Sequence, residues 1–344
     1  MQLRTLLSAV CLYLSIGLIQ GQESRTYDGS ENNSNHIDWG AVHSQMPRWS
    51  PVTYADGISA IGGNDRPNPR AVSNAVFAQE DLFDDPRNMS DYCWVWGQFI
   101  DHDITLVADA QEFMYIQVPQ GDEFFDPWNT GAALIPMRRS EGIENTGTDI
   151  DNPLQYPNEI SSFIDASGVY GSDEERADWL RTHSEGKLKT STGELLPYNT
   201  LNGEYNSVID INAPHMDDAT GQLTKFFVAG DVRANENVVL TSFHTLMLRE
   251  HNRLCDEIKL EHPVWGDELV YQHARRIVGG LIATITYEEW LPAMGVHLED
   301  YFGYNENINP AVSNDFSAAA FRMGHTLLSG TIQRMDMELS LIHI

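Results

Sequence analysis

A carboxylate, an imidazole and an amide share one predicted helix face near residue 100. In the segment 96–103, Gln98, Asp101 and His102 are spaced i, i+3 and i+4, so their side chains converge on one side of a helix. An imidazole in such a group can take up and release protons. The adjacent Asp103 lies about 100° further round the helix and can serve a different neighbour. The segment lacks the paired His or Cys of a zinc site, and a hydrogen-bonded polar face is the alternative interpretation.

Oxygen-bearing residues alternate in the segment 161–167. If this segment is extended, Ser161, Asp165 and Ser167 present side-chain oxygens on one side, with the main-chain carbonyl of Phe163 between them. Hard oxygen donors of this kind suit Ca²⁺. The segment lacks the glycine and the closing glutamate of an EF-hand, and a polar loop without a metal is the alternative.

Two further segments carry charged or metal-ligating side chains. Arg233 and Glu236 are spaced i, i+3 at the start of a long predicted helix, where a surface ion pair is the alternative. His325 follows Gly324 on an amphipathic segment and could ligate the metal of a flat cofactor that needs room near the backbone. A structural histidine is the alternative there.

Periodic apolar positions predict four helices that must position these residues. The first begins after Ser90 as N-cap and includes apolar positions from Trp96 to Leu106, and the others cover about 231–258, 269–290 and 313–328. We predict an extended surface arm at residues 22–60 and long loops at residues 108–158 and 183–230. Internal repeats, phosphate-binding glycine loops and GxSxG turns are absent from the sequence. The fold class is therefore mainly α, with large connections.

Composition and charge exclude several classes of protein. The 344-residue chain is 42% hydrophobic and 10% aromatic, which excludes an intrinsically disordered chain. Its 50 acidic and 21 basic residues give a formal net charge of -29. Because this charge repels phosphate backbones and anionic lipids, nucleic acid and acidic membranes are not expected partners.

The N-terminus predicts secretion. Residues 1–21 contain one early cation and an apolar run from Leu6 to Ile19 that is too short to span a bilayer, as in a cleaved signal peptide. Cleavage leaves Cys93 and Cys255, whose pairing stays open. Glycosylation sequons begin at Asn32 and Asn88, so we expect a secreted glycoprotein without a membrane span.

Together and in this order, the four segments resemble the animal haem peroxidase family, the superfamily of myeloperoxidase, lactoperoxidase and peroxidasin. The resemblance runs from about Asn64 to about Met337 and implies a mainly helical domain with long loops around a buried haem b. It divides the chain into the signal peptide, the arm, an N-terminal part of the peroxidase domain at 61–337, and a tail at 338–344 that does not resemble the family. On this basis the domain is expected to be incomplete at its C-terminus.

The resemblance implies a role for each matched residue. His102 matches the distal histidine, Arg233 the distal arginine, and Gln98 the amide near the distal halide and water site. His325 matches the proximal ligand of the haem iron, and Arg322 the residue expected to meet a haem propionate.

The remaining matched positions concern covalent attachment of the haem and binding of calcium. Asp101 and Glu236 match carboxylates that form ester links to haem methyl groups. The implied calcium ligands all carry oxygen: Asp103, Ser161, Phe163, Asp165 and Ser167.

The implied activity is peroxide-dependent oxidation. Neutral His102 would move a proton between the peroxide oxygens while Arg233 stabilises the charge that develops, leaving ferryl haem to oxidise a halide, a pseudohalide or a phenolic or tyrosyl donor. Asn237 occupies the position of the haem-linked Met of the chloride-oxidising branch, so efficient chloride oxidation is not expected. The sequence does not choose among the other donors, and extracellular matrix is a further expected partner.

Two alternatives remain open. A fatty-acid dioxygenase belongs to the same superfamily, but the cyclooxygenase branch carries its radical Tyr where this chain has Arg322. A truncated, non-catalytic secreted protein that binds calcium or matrix is the other, because the part of the family domain that holds the partner of the proximal histidine lies beyond the matched region.

Overall fold

The computed structural model describes residues 24–332, apart from Asn64, Leu82, Asp84 and Ala219. The expected signal peptide at 1–21 and the tail at 338–344 lie outside the described residues. The helices are α1 (Pro69–Phe77), α2 (Tyr92–Ile104), α3 (Ser167–Tyr170), α4 (Glu174–Leu180), α5 (Val238–Glu261), α6 (Asp267–Thr284), α7 (Leu291–Ala293) and α8 (Asn314–Ala318). A π-helical segment (Ile285–Trp290) joins α6 to α7, a 3₁₀ helix (Ala320–Leu327) follows α8, and two strands, β1 (Asp109–Gln117) and β2 (Leu134–Ser140), precede α3. The prediction of a mainly α fold with large connections is confirmed.

The core forms where α2, α5 and α6 bring their apolar faces together. Phe99 of α2, Leu240 of α5 and Ile282 of α6 are fully buried in one hydrophobic cluster. Full burial of a side chain of this size contributes about 1.5–3 kcal/mol relative to its exposure. These helices therefore provide a rigid base for the polar groups at their ends.

The first predicted helix is present with slightly different ends. It begins at Tyr92, its N-cap is Asp91 and not Ser90, and it ends at Ile104, before Leu106. Differences of one or two residues are usual at helix ends, where the bonding pattern frays.

The longest predicted helix begins seven residues later than expected. Its predicted range was 231–258, but α5 starts at Val238 because the side chain of Asn237 accepts hydrogen bonds from the first free backbone N–H groups. Upstream, the carboxylate of Asp231 accepts the N–H of Arg233 at 2.9 Å, which favours a turn over a helix. The prediction that Arg233 and Glu236 share a helix face was therefore wrong.

The predicted loop at 108–158 contains an antiparallel hairpin. In it β1 pairs with β2, for example through Phe113 opposite Arg138 and Met114 opposite Met137. Most side chains of both strands are exposed, so the alternation of apolar and polar residues that marks a half-buried strand is weak. This is why the sequence did not reveal the hairpin.

The last predicted helix, 313–328, is interrupted. Ser313 caps α8 through the N–H of Phe316, but the chain breaks at Ala319 and continues as the 3₁₀ helix. In an unbroken α-helix, Phe316 and Phe321 would lie about 140° apart around the axis. Their rings instead contact each other at 5.0 Å between centroids with a tilt of 44°, which the break allows.

The described part of the N-terminal arm lies along the helical body without regular structure. The guanidinium of Arg275 on α6 donates to the carbonyls of Arg25 and Thr26, and Asn33 donates to the carbonyl of Glu306. Among the helices described, none is both long and apolar enough to cross a bilayer.

Candidate functional site

A cavity of about 450 Å³ opens between the end of α2, the turn at 231–237 and the 3₁₀ helix. Its volume falls in the range of small-molecule and cofactor sites. Trp290 and Phe321 contribute apolar wall. The cavity is lined by every residue that the sequence suggested for catalysis or haem binding: Gln98, Asp101, His102, Arg233, Glu236, Arg322 and His325.

The α2 helix delivers its three polar groups as their spacing predicts. Gln98, Asp101 and His102 all line the cavity, and the side chains of Asp101 and His102 are almost fully buried. Phe99, about 100° further round the same helix than Gln98, is buried in the core. The packing of α2 therefore orients the polar face.

The imidazole of His102 lies between two carboxylates. Its Nδ1 is 3.5 Å from Oδ1 of Asp231, and its Nε2 is 3.9 Å from Oε2 of Glu236. Burial, reinforced by the nearby guanidinium of Arg233, holds the pKa of His102 well below the usual value for histidine. The ring is therefore neutral near pH 7 and can accept a proton.

Asp231 anchors Arg233 at the same cavity. The carboxylate accepts from Nε of Arg233 at 2.9 Å and from Nη2 at 2.7 Å, while Nη2 also donates to the carbonyl of Thr105 at 3.1 Å. Burial acts to raise the pKa of Asp231, but the guanidinium outweighs it and the pKa falls to about 2. The site therefore holds a permanent ion pair beside a neutral imidazole.

Asp231 is a site residue that the sequence did not reveal. Its position predicted only the start of a helix, whereas in the structure it lies between His102 and Arg233. The available signal was its position two residues before Arg233, because an Asp commonly forms a turn with the N–H two residues on.

Arg322 pairs with Asp101 in the structure. Nη1 of Arg322 donates to Oδ2 of Asp101 at 3.1 Å, and Nε donates to the carbonyl of Ser317 at 2.8 Å. Burial raises the pKa of Asp101, opposed by the guanidinium groups of Arg322 and Arg233. Oδ1 of Asp101 is buried without a hydrogen-bond partner among the described residues. This carboxyl group therefore keeps one free oxygen.

His325 reaches the cavity from the 3₁₀ helix. It is solvent-exposed, and so is Glu236 on the turn before α5, so the cavity is more open on this side than at α2. A Cβ built on Gly324 meets no described atom within 4 Å, which leaves space beside His325.

Gln98 and Asn237 join α2 to the start of α5. Nδ2 of Asn237 donates to Oε1 of Gln98 at 3.0 Å, and both residues line the cavity. Asn237 thus occupies the cavity wall as well as the N-cap of α5.

The predicted calcium ligands form a second, buried cluster behind α2. The segment 161–167 is not extended as expected, because Ala166 adopts a left-handed conformation and Ser167 begins α3. The turn nevertheless brings the hydroxyl of Ser167 to 2.7 Å from the carbonyl oxygen of Asp103, and the hydroxyl of Ser161 to 2.9 Å from Oδ2 of Asp165. The carbonyl of Phe163 accepts the N–H of Asp165 at 3.0 Å. The side chains of these residues therefore converge because the segment forms a tight turn, and not because it is extended.

Two buried carboxylates, Asp103 and Asp165, lie in this cluster, and the guanidinium groups of Arg275 and Arg25 offset the charge of Asp165 only in part. Burial, and then repulsion from Asp165, raises the pKa of Asp103 to about 8, and burial raises that of Asp165 to about 6. Oδ2 of Asp103 has no hydrogen-bond partner in the described part of the chain. The described residues contain no group of three or more His, Cys, Asp or Glu side chains arranged for a metal. A cation here would therefore depend on these two carboxylates with hydroxyl and carbonyl oxygens.

A family model matches most of the chain. The family model described as animal haem peroxidase matches residues 24–343. The chain is 33% identical to a dual oxidase from Drosophila melanogaster over 91% of its length and 32% identical to peroxinectin A from Dictyostelium discoideum over 95%. Among solved structures, peroxidase A from Dictyostelium discoideum matches 94% of the chain with a TM-score of 0.82 and 30% identity. The chain spans 20%, 61% and 63% of these three proteins, respectively.

Proposed function

The chain belongs to the animal haem peroxidase family, and we propose from this that it is part of a haem peroxidase that reduces hydrogen peroxide and oxidises a small donor. The observation that carries the proposal is the neutral, buried imidazole of His102 beside the Asp231–Arg233 ion pair in one cavity. A proton acceptor and a fixed positive charge are the two groups that peroxide cleavage requires from the protein.

The residues around the cavity fit haem b. His325 would ligate the iron, Asp101 and Glu236 would supply carboxyl groups for ester links, and Arg322 would meet a propionate. The unpartnered Oδ1 of Asp101 and the open space beside Gly324 support this fit. Haem, when bound, supplies the iron at which the O–O bond is cleaved and the oxidising equivalents are kept.

The protein's own contribution is proton transfer and charge stabilisation. His102 would take a proton from one peroxide oxygen and return it to the other oxygen, which leaves as water. Arg233, held by Asp231, would stabilise the negative charge that develops on the departing oxygen. Groups in such roles contribute about 10²–10⁴-fold for proton transfer and about 10²–10³-fold for charge stabilisation.

We further propose that Asp103, Ser161, Phe163, Asp165 and Ser167 hold calcium. Two buried carboxylates with raised pKa values and a free oxygen on Asp103 support a cation at this place. Since Asp103 follows His102 directly in α2, a bound ion would restrain the helix that carries the proton acceptor.

We propose that the protein is secreted, and we assign its donor only to a class of molecules. The pattern of residues 1–21 supports secretion, and association with the extracellular matrix is a proposed partner interaction. We propose a halide other than chloride, a pseudohalide or a phenolic or tyrosyl group as donor, because Asn237 replaces the Met of the chloride-oxidising branch. Arg322 argues against the cyclooxygenase branch of the dioxygenase alternative, which carries its radical Tyr at this position.

Substitution of His102 tests the proposed function. In the haem-loaded protein, His102→Ala should lower kcat/KM for peroxide by about 10²–10⁴-fold, measured by oxidation of iodide or a phenol, while the haem absorption band is retained. His297→Ala, at an exposed histidine away from the cavity, serves as the control and should retain activity. Equal turnover in His102→Ala and the wild type would overturn the assignment, and a chain that takes up no haem would favour the non-catalytic calcium-binding alternative.

A further inference from the structure

The side chain of Asn237 has its orientation set by the backbone. It is the N-cap of α5, and its Oδ1 accepts from the N–H groups of Val239 at 3.1 Å and Leu240 at 2.9 Å. A backbone N–H can only donate, so the atom that faces these groups must be the amide oxygen. The NH₂ group of Asn237 is therefore directed away from the helix, toward α2.

This orientation determines which end of the Gln98 amide meets Asn237. Nδ2 of Asn237 lies 3.0 Å from the Gln98 side chain, and because it can only donate, the contacting atom must be Oε1. Among the described residues, Nε2 of Gln98 donates to no protein acceptor. Its two N–H groups are thus left for a ligand in the cavity that Gln98 lines.

We propose that Asn237 is a positioning residue that holds the Gln98 amide with its N–H donors toward the cavity. The backbone of α5 orients the Asn237 amide, and Asn237 in turn orients the Gln98 amide. With the opposite orientation, Gln98 would present a carbonyl oxygen and repel small anions such as thiocyanate. The ligand chemistry rests on the proposed function, whereas the amide orientation does not.

The first experiment is a thiocyanate titration of the haem-loaded protein, followed by the shift of its absorption band. Asn237→Ser keeps a good N-cap but is too short to reach Gln98. We expect thiocyanate to bind about three- to tenfold more weakly, as for loss of one oriented hydrogen bond. Val238→Ala, at the adjacent exposed position, is the matched control and should bind thiocyanate as the wild type does.

A double-mutant cycle distinguishes positioning from a general disturbance of α5. Gln98→Leu should also weaken thiocyanate binding, and adding Asn237→Ser to Gln98→Leu should cause no further loss. Unchanged thiocyanate affinity in Asn237→Ser would overturn the proposal. So would an equal loss with and without Gln98, because Asn237 would then act by another route.

A measurement without haem separates this proposal from the proposed function. In apo protein labelled with ¹⁵N-glutamine, the side-chain NH₂ signals of Gln98 are assigned by their loss in Gln98→Leu. These signals should shift in Asn237→Ser and stay in place in Val238→Ala. Absence of a shift in Asn237→Ser would reject the positioning role, whether or not the protein proves to be a peroxidase.

Discussion

At the level of individual residues, Asp231 lies next to both His102 and Arg233 and links them in one arrangement. Its carboxylate is 2% exposed at the side chain, pairs with the guanidinium at 2.7 Å and lies 3.5 Å from the imidazole. Without this carboxylate the guanidinium would be a partly buried, unpaired charge. The ion pair therefore sets both the position of Arg233 and the electrostatic environment of His102.

Removal of this charge should destabilise the protein. Asp231→Asn leaves Arg233 without its counter-charge, and we expect the free energy of unfolding to fall by about 3 kcal/mol, measured by urea denaturation. Asp217→Asn, at a half-exposed carboxylate of the same region, is the control and should change stability by about 0.5 kcal/mol or less. Similar losses in the two variants would contradict the role given to Asp231.

At the level of elements, the late start of α5 is what allows the site to form. Residues 231–237 form turns, and from there Arg233 reaches back to the carbonyl of Thr105 just after α2. If the helix had begun at Asp231, Arg233 and Glu236 would have followed the helix surface. The cap at Asn237 therefore ends the turn and starts the helix at the position that the cavity requires.

A buried histidine on α5 ties that helix to two neighbouring segments. Nδ1 of His251 lies 2.8 Å from the hydroxyl of Tyr170 in α3, and Nε2 lies 2.8 Å from the carbonyl of Gly186. A neutral ring satisfies both contacts when Nε2 carries the proton and Nδ1 accepts from Tyr170. Burial lowers the pKa of His251 to about 4.

This histidine should make stability depend on pH. Its pKa is lower in the folded protein than the ordinary value of about 6.5 expected in the unfolded chain, so the unfolded chain binds more protons between these values. The contribution of neutral His251 is therefore complete above pH 6.5 and is lost as the pH falls toward about 4, by up to about 1.4 kcal/mol per pH unit.

Substitution isolates this contribution from other titrating groups. His251→Gln removes the titration, so the difference in unfolding free energy between wild type and variant should shrink as the pH is lowered from 8 to 4. The difference at pH 8, where the ring is neutral in both states, measures the lost packing and the lost hydrogen bonds to Tyr170 and Gly186. Parallel stability curves across this range would show that His251 does not titrate on unfolding.

At the level of the whole molecule, the cluster proposed to hold calcium links α2 to the loop before α3. Asp103 comes from the end of α2, whereas Ser161 and Asp165 come from a loop that also packs against the N-terminal arm near Gly29. Like charges brought together by packing destabilise the folded chain unless a cation or protons neutralise them. Calcium should therefore stabilise several parts of the molecule together.

If calcium binds as proposed, its removal should lower the melting temperature and the proposed peroxidase activity of the wild type. A cation present at about 100 times its dissociation constant adds about 2.7 kcal/mol to the folded state, and a chelator should abolish this gain. Asp103→Asn removes one carboxylate, so its melting temperature should respond little to calcium or chelator. Asp149→Asn, at an exposed carboxylate, should keep the wild-type response, and a wild type that melts equally with calcium and chelator would refute the site.

Much of the site was predictable because local geometry depends on short-range spacing. The spacing of Gln98, Asp101 and His102 was enough to place them on one face. The periodic apolar residues located α2, α5 and α6 with its π-helical extension to within a few residues, apart from the start of α5. The order of the motifs identified the family. Spacing within one segment can be interpreted from the sequence without knowing which helices and loops contact each other.

The tertiary structure decided what depends on contacts between distant segments. The pairing of Arg322 with Asp101 and of Asn237 with Gln98 joins residues far apart in sequence, so no spacing rule reports it. The same holds for Asp231, whose contact with His102 exists only because the turn at 231–237 packs against the end of α2. The sequence by itself thus determined which groups are available for the proposed peroxide chemistry, while packing decided which group pairs with which, since burial and long-range contacts are properties of the folded chain.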